Sequence, residues 1–157
     1  MPLSRTPLWF DDLHVGLRHR SADSAPVDTA AITGFAADWD PQPFHLDDAA
    51  ARATLFGGLA ASGWHTAAIT MRLLVTSGVP VAGGMIGAGV QLDWPRPVRP
   101  GDVLHVVSEV VELIPSRSKP DRGIAVIRSE TRNQRDEAVM VQTAKLVVPR
   151  RNQALGQ

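Results

Sequence analysis

The sequence predicts an α+β fold in which a curved antiparallel sheet wraps around one long central helix. Three observations predict it. The N-terminal third carries capping residues and helical spacing, residues 59–75 form an apolar run with few charges, and the remainder holds four Val/Ile-rich runs separated by turn residues. With 157 residues, no internal repeat and no low-complexity tract, the chain reads as one domain covering 1–157, frayed after about residue 150.

In chain order, Trp9 to Arg20 mixes apolar and charged residues, which fits a weak strand or an extended arm. Pro26 and Asp28 open a helix, with Asp28 as its cap and Ile32, Phe35 and Ala36 at helical spacing. Trp39 to Phe44 holds two prolines and must leave the helix, because each restricts the residue before it to extended geometry. Asp47 and Asp48 cap a short helix over Ala49–Ala53, and Gly57-Gly58 breaks it. Leu59 to Val75 is apolar on nearly every side and predicts a buried helix, ended by Gly78 and Pro80. Strands are predicted at Met85–Asp93, Val103–Glu112, Ile124–Arg132 and Val139–Val148. The glycines from Gly83 to Gly89 lack the spacing and the Lys of a phosphate loop and precede a strand, so they predict a bend.

Composition narrows the function. Sixteen basic residues balance sixteen acidic ones, which speaks against a nucleic-acid or anionic-membrane binder driven by bulk charge. The absence of Cys excludes disulfides, thiolate nucleophiles and sulfur-ligated metals. His14, His19 and His105 show no ligand spacing, so no metal is expected. Met1 to Phe10 has no apolar leader, and no stretch reaches the roughly 18–20 apolar residues of a membrane helix, so a cytoplasmic location is expected.

The segment Asp40-Pro-Gln-Pro-Phe-His45 concentrates the chemistry: it places an acid and an imidazole five residues apart in a Pro-stiffened turn. A free imidazole titrates near pH 6.5, and a fixed carboxylate beside it can share a water with it. Spacing alone favours a carboxylate that merely braces the turn and a surface histidine, because such pairs are common. His65, near the start of the long helix, reads as a hydrogen-bonded core residue rather than a second base. Arg96, Arg99, Lys145, Arg150 and Arg151 are cations that either reach ligand phosphates or stay in solvent.

Phe35-Ala-Ala-Asp-Trp-Asp-Pro-Gln-Pro-Phe-His-Leu-Asp47, with Leu55-Phe-Gly-Gly-Leu-Ala-Ala-Ser-Gly63 and Val98-Arg-Pro-Gly-Asp102 after it, resembles the MaoC-like dehydratases, the hot-dog-fold family that includes the (R)-specific enoyl-CoA hydratases. The resemblance implies a hydratase/dehydratase that adds water across the 2,3 double bond of a 2-enoyl-CoA. It implies Asp40 and His45 as the pair that holds and deprotonates the water, and Gly63 as the oxyanion donor at the helix N-terminus. The pattern departs from the family at Gln42, where an Asn is usual, and at Ser62, where a His is usual and where the serine can instead cap the central helix. With Trp39 and Trp64, these two residues are expected at the substrate. No cofactor is implied beyond the CoA thioester itself, and a homodimer is expected. Two other functions fit the fold: an acyl-CoA thioesterase, disfavoured because Trp64–Val75 holds no Asp or Glu, and a non-catalytic acyl-CoA-binding protein.

Overall fold

Short-range chemistry sets the first half of the chain. In a computed structural model describing residues 5–151, Asp28 caps helix α1 (Thr29–Trp39), its Oδ1 accepting the Ala31 N–H at 2.8 Å. Pro41 ends α1 by forcing Asp40 out of helical geometry, to φ −152° and ψ 67°. Pro43 at the first helical position then starts α2 (Pro43–Leu46), a single turn where the sequence analysis expected irregular chain. Asp47 leaves α2 extended and caps α3 (Asp48–Arg52) through the Ala50 N–H at 2.8 Å. An irregular strap follows, with Gly57 at φ +65°, and leads to the central helix α4 (Gly63–Ser77).

The central helix differs from expectation in two ways. It starts at Gly63 rather than Leu59, because Ser62 is its cap: Ser62 Oγ accepts the Trp64 N–H at 3.2 Å. It is also not buried on every side. Trp64, Met71 and Val75 are 60%, 49% and 57% exposed and form a stripe along one face. The opposite face is held to the sheet by a buried hydroxyl pair, Thr70 Oγ1 with Thr131 Oγ1 at 2.5 Å, and by Leu73 and Leu74 in the core.

The strands are β1 (Arg18–Arg20), β2 (Ala25–Pro26), β3 (Ile86–Asp93), β4 (Val103–Pro115), β5 (Arg122–Arg132) and β6 (Ala138–Pro149). All pairings between them are antiparallel, in the order β1-β4-β5-β6-β3, with β2 on the start of β4. The predicted weak strand over Trp9–Arg20 resolves into a 3-10 turn at Phe10–Asp12 and β1. Inward residues of the long strands, such as Val110, Ile127, Ala144 and Val148, pack with Phe10 and Leu13. The glycine run makes an irregularity in the β3–β6 register between Gly87 and Gly89. β3 is an edge strand, and of its residues only Leu92 is partly buried. The frayed tail expected after residue 150 lies, beyond Arg151, outside the described residues. Among the described residues, no helix is long and apolar enough to cross a membrane.

Candidate active site

The turn between α1 and α2 brings its acid and its imidazole together. His45 Nε2 lies 3.3 Å from Asp40 Oδ2, with the imidazole almost fully buried. On its other side, His45 Nδ1 is 2.7 Å from Ala60 O. A carbonyl can only accept, so the neutral ring carries its hydrogen on Nδ1 and presents a lone pair at Nε2. Nothing in the spacing of Asp40 and His45 announced this partner, which lies fifteen residues beyond His45.

Asp40 is held as tightly. Ser62 Oγ donates to its Oδ2 at 2.7 Å, and Gln42 Nε2 donates to its Oδ1 at 2.7 Å. Burial disfavours the charge, but those two donated bonds, joined by the imidazole whenever it is protonated, outweigh it and hold the carboxyl below its ordinary range. A carboxylate held this way orients a neighbouring donor and gives up a proton readily, and a lone pair at His45 Nε2 has the chemistry of a base.

Asp40, His45, Gly63 and Trp64 all line one pocket of about 330 Å³, walled further by Phe56 and Trp94. Gly63 is the first residue of α4, so its N–H has no acceptor within the helix and stands at the positive end of the helix dipole. The glycine also makes room for Trp94. A Cβ there would lie 2.7 Å from Trp94 Cε2, and Trp94 Nε1 donates to Gly63 O at 3.1 Å.

Three of the expected substrate residues do not line this pocket. Ser62 is fully buried and Gln42 exposed; neither lines the pocket, and both spend their side chains on the Asp40 carboxylate. Trp39 is 75% exposed at the end of α1 and is not part of the pocket wall. Trp94, from the turn after β3, takes that place, with Trp64 edge-on to it at 5.6 Å. His65 is buried, as expected, but it stacks on Phe35 at 4.8 Å and its Nδ1 has no hydrogen-bond partner among the described residues. Burial lowers its pKa. Of the cations, Arg150 and Arg151 pair with Asp11 and Asp12, and Arg96, on the pocket rim, pairs with Glu137 at 3.4 Å. Among the described residues, no three His, Asp or Glu side chains converge as a metal site.

Known proteins share this sequence pattern and this fold. Residues 14–132 match the family model described as MaoC like domain. The chain is 34% identical over 152 residues to 3-hydroxybutyryl-CoA dehydratase of Methylorubrum extorquens, covering 94% of this chain and 88% of that protein. The crystal structure of the MaoC-like dehydratase from Rhodospirillum rubrum superposes with a TM-score of 0.90 at 62% identity, covering 92% of this chain and 98% of that one. The R-hydratase PhaJ1 from Pseudomonas aeruginosa superposes with a TM-score of 0.70 at 28% identity, covering 92% and 88%. Its fold is the hot-dog fold of these neighbours, and the chain belongs to the MaoC-like dehydratase family.

Proposed function

We propose that the protein is a hydro-lyase that adds water reversibly across the 2,3 double bond of a 2-enoyl-CoA. The observation that carries this reading is the 3.3 Å approach of His45 Nε2 to Asp40 Oδ2, in the pocket that Gly63 also lines. A water seated between the two side chains donates one hydrogen to each. As its oxygen bonds to C3, its proton passes to His45 Nε2 and the C2–C3 π electrons move onto the thioester oxygen. The Gly63 N–H receives that oxyanion, and helix-terminal donors of this kind are worth about 10²–10³ in rate. The proton then crosses to Asp40 Oδ2 and from there to C2, which restores the neutral imidazole. Dehydration is the same path reversed.

Two features support an acyl thioester as the substrate. An apolar groove of about 490 Å³ runs along α4 past Ala67, Met71 and Leu74, beneath Val90 and Leu92 of β3, with room for an acyl chain. The relatives that resemble this chain include a 3-hydroxybutyryl-CoA dehydratase and an R-hydratase. We further propose that two chains pair through β3, whose exposed edge lies beside the open stripe Trp64, Met71 and Val75. Light scattering at micromolar concentration then gives twice the chain mass, and a strict monomer would contradict the pairing.

Incubation with crotonyl-CoA tests the activity, with enoyl absorbance and free thiol followed separately. Loss of absorbance without thiol release is the expected result. Thiol release would identify a thioesterase, and neither change over a panel of 2-enoyl-CoA thioesters would leave a binding protein.

A further inference from the structure

Arg99 lies in the turn between β3 and β4, where the sequence left its guanidinium to a ligand phosphate or to solvent. The structure gives it a different occupation. Its Nη1 donates to Gly58 O at 2.8 Å and to Leu59 O at 3.3 Å, and its Nη2 donates to Phe56 O. The base of the side chain is fixed as well, since the Arg99 N–H donates to Asp102 Oδ2 at 2.9 Å. A planar fork with five donors can reach three carbonyls at once, and a lysine ammonium cannot reproduce that geometry.

Those carbonyls belong to the strap between α3 and α4. Its other ties run to the same neighbourhood. The Leu59 N–H donates to Asp48 Oδ1 at 3.0 Å, the Ala60 N–H to Phe44 O at 3.2 Å, and the Ala61 N–H to Val98 O at 2.9 Å. The next carbonyl after the three held by Arg99 is Ala60 O, the acceptor of His45 Nδ1.

The position of Ala60 O decides more than the angle of a ring. A neutral imidazole has one N–H, and two acceptors compete for it: Ala60 O at 2.7 Å from Nδ1, and the Asp40 carboxylate at 3.3 Å from Nε2. Asp40 carries the charge and is the stronger acceptor, so a displaced Ala60 O hands the hydrogen to Nε2. The lone pair would then point at the strap, and the base would be blocked.

We propose that Arg99 is a positioning residue for the acid–base pair: by gripping the strap at Phe56, Gly58 and Leu59 it holds Ala60 O against His45 and keeps the lone pair on Nε2. The proposal rests on the reading of His45 as the base.

The test compares wild type, Arg99→Ala and Arg99→Lys, each checked for a native circular-dichroism spectrum. Long-range ¹⁵N NMR of the histidine rings reads the tautomer of His45 without any turnover. The wild type shows Nδ1–H; Arg99→Ala shifts toward Nε2–H, and Arg99→Lys lies between. With crotonyl-CoA, Arg99→Ala lowers kcat by about 10–100-fold, the cost of a misplacement near 1 Å, with KM little changed. Added guanidinium ion restores part of the lost rate. A His45 tautomer and kcat that stay wild-type in Arg99→Ala would overturn the proposal. So would a rise in KM for crotonyl-CoA that crotonyl-pantetheine, lacking the nucleotide phosphates, does not share, because Arg99 would then be a phosphate contact. If Arg99→Ala fails to fold, Arg99→Lys decides by the same two readouts. A wild type that hydrates no enoyl thioester would refute the proposed function, while the tautomer measurement would still decide the role of Arg99.

Discussion

Replacing Ser62 by Ala removes one hydroxyl that serves two partners, the Asp40 carboxylate at 2.7 Å and the Trp64 N–H at 3.2 Å. Loss of a helix N-cap costs about 0.5–2 kcal/mol. Loss of a hydrogen bond to a buried charged group costs about 1.5–3 kcal/mol. The two share one oxygen and are not independent, so a combined loss of about 2–4 kcal/mol is expected at pH 7. The pH dependence carries the sharper information. Asp40 is held below its ordinary range, so it contributes stability that is present above the unfolded carboxyl value near 3.9 and lost as pH falls through the folded value. Ser62→Ala removes a lowering influence and leaves burial, which raises the value, so the folded pKa of Asp40 moves up. The stability gap between wild type and variant is therefore full at pH 7 and narrows as pH falls through the variant's folded carboxyl value toward that of wild type. Urea unfolding at pH 7, 5, 4 and 3 measures the effect. An unchanged urea midpoint at pH 7, or a gap that stays constant down to pH 3, would refute the coupling of α4 to the acid.

Gly63→Ala places a Cβ at 2.7 Å from Trp94 Cε2, where carbon contacts settle near 3.5–4.0 Å, so the indole must retreat by about 1 Å. A loss of about 1–3 kcal/mol in stability and of about 10²-fold in kcat follows, read by thermal melting and turnover; wild-type values in both would remove Gly63 from the site. His65→Phe keeps the stack on Phe35 while removing a buried imidazole whose pKa burial lowers. In wild type the unfolded ring protonates below about pH 6.5 while the native ring stays neutral, so native stability falls as pH drops from there. The variant loses less stability between pH 7 and 5. Asp23 and Arg72 of the same cleft remain, as does His105, also held low, first by burial and then by Arg20. Parallel urea midpoints for the two proteins would reject that role for His65.

What the sequence revealed is what local chemistry controls. Asp28 and Asp47 act as caps because a cap is read three residues away, and the long strands follow from their Val and Ile runs. Asp40 and His45 could be paired because Pro41 and Pro43 leave the six-residue segment little freedom. Contacts between distant segments were hidden. The Ser62 bond to Asp40 spans 22 residues and the Arg99 bond to Gly58 spans 41, and no periodicity encodes either. Ser62 was readable as a cap, but a cap whose hydroxyl also serves the acid required the fold. The open stripe on α4 escaped for another reason. Trp64, Met71 and Val75 are as apolar as the buried face, so hydropathy alone could not say which face the sheet leaves uncovered. Trp39 lies apart from the pocket for a related reason, since an aromatic side chain carries no mark of the face it will occupy.

The central claim is that Asp40 and His45 act as one unit on one water, and a double-mutant cycle on 2-enoyl-CoA hydration tests it directly. Asp40→Asn and His45→Ala, each with a native circular-dichroism spectrum, should lower kcat by about 10²–10⁴-fold on the substrate that the wild type accepts best. The double variant should fall no further than the worse single one. Wild-type turnover in either single variant, or losses that multiply in the double, would contradict the account.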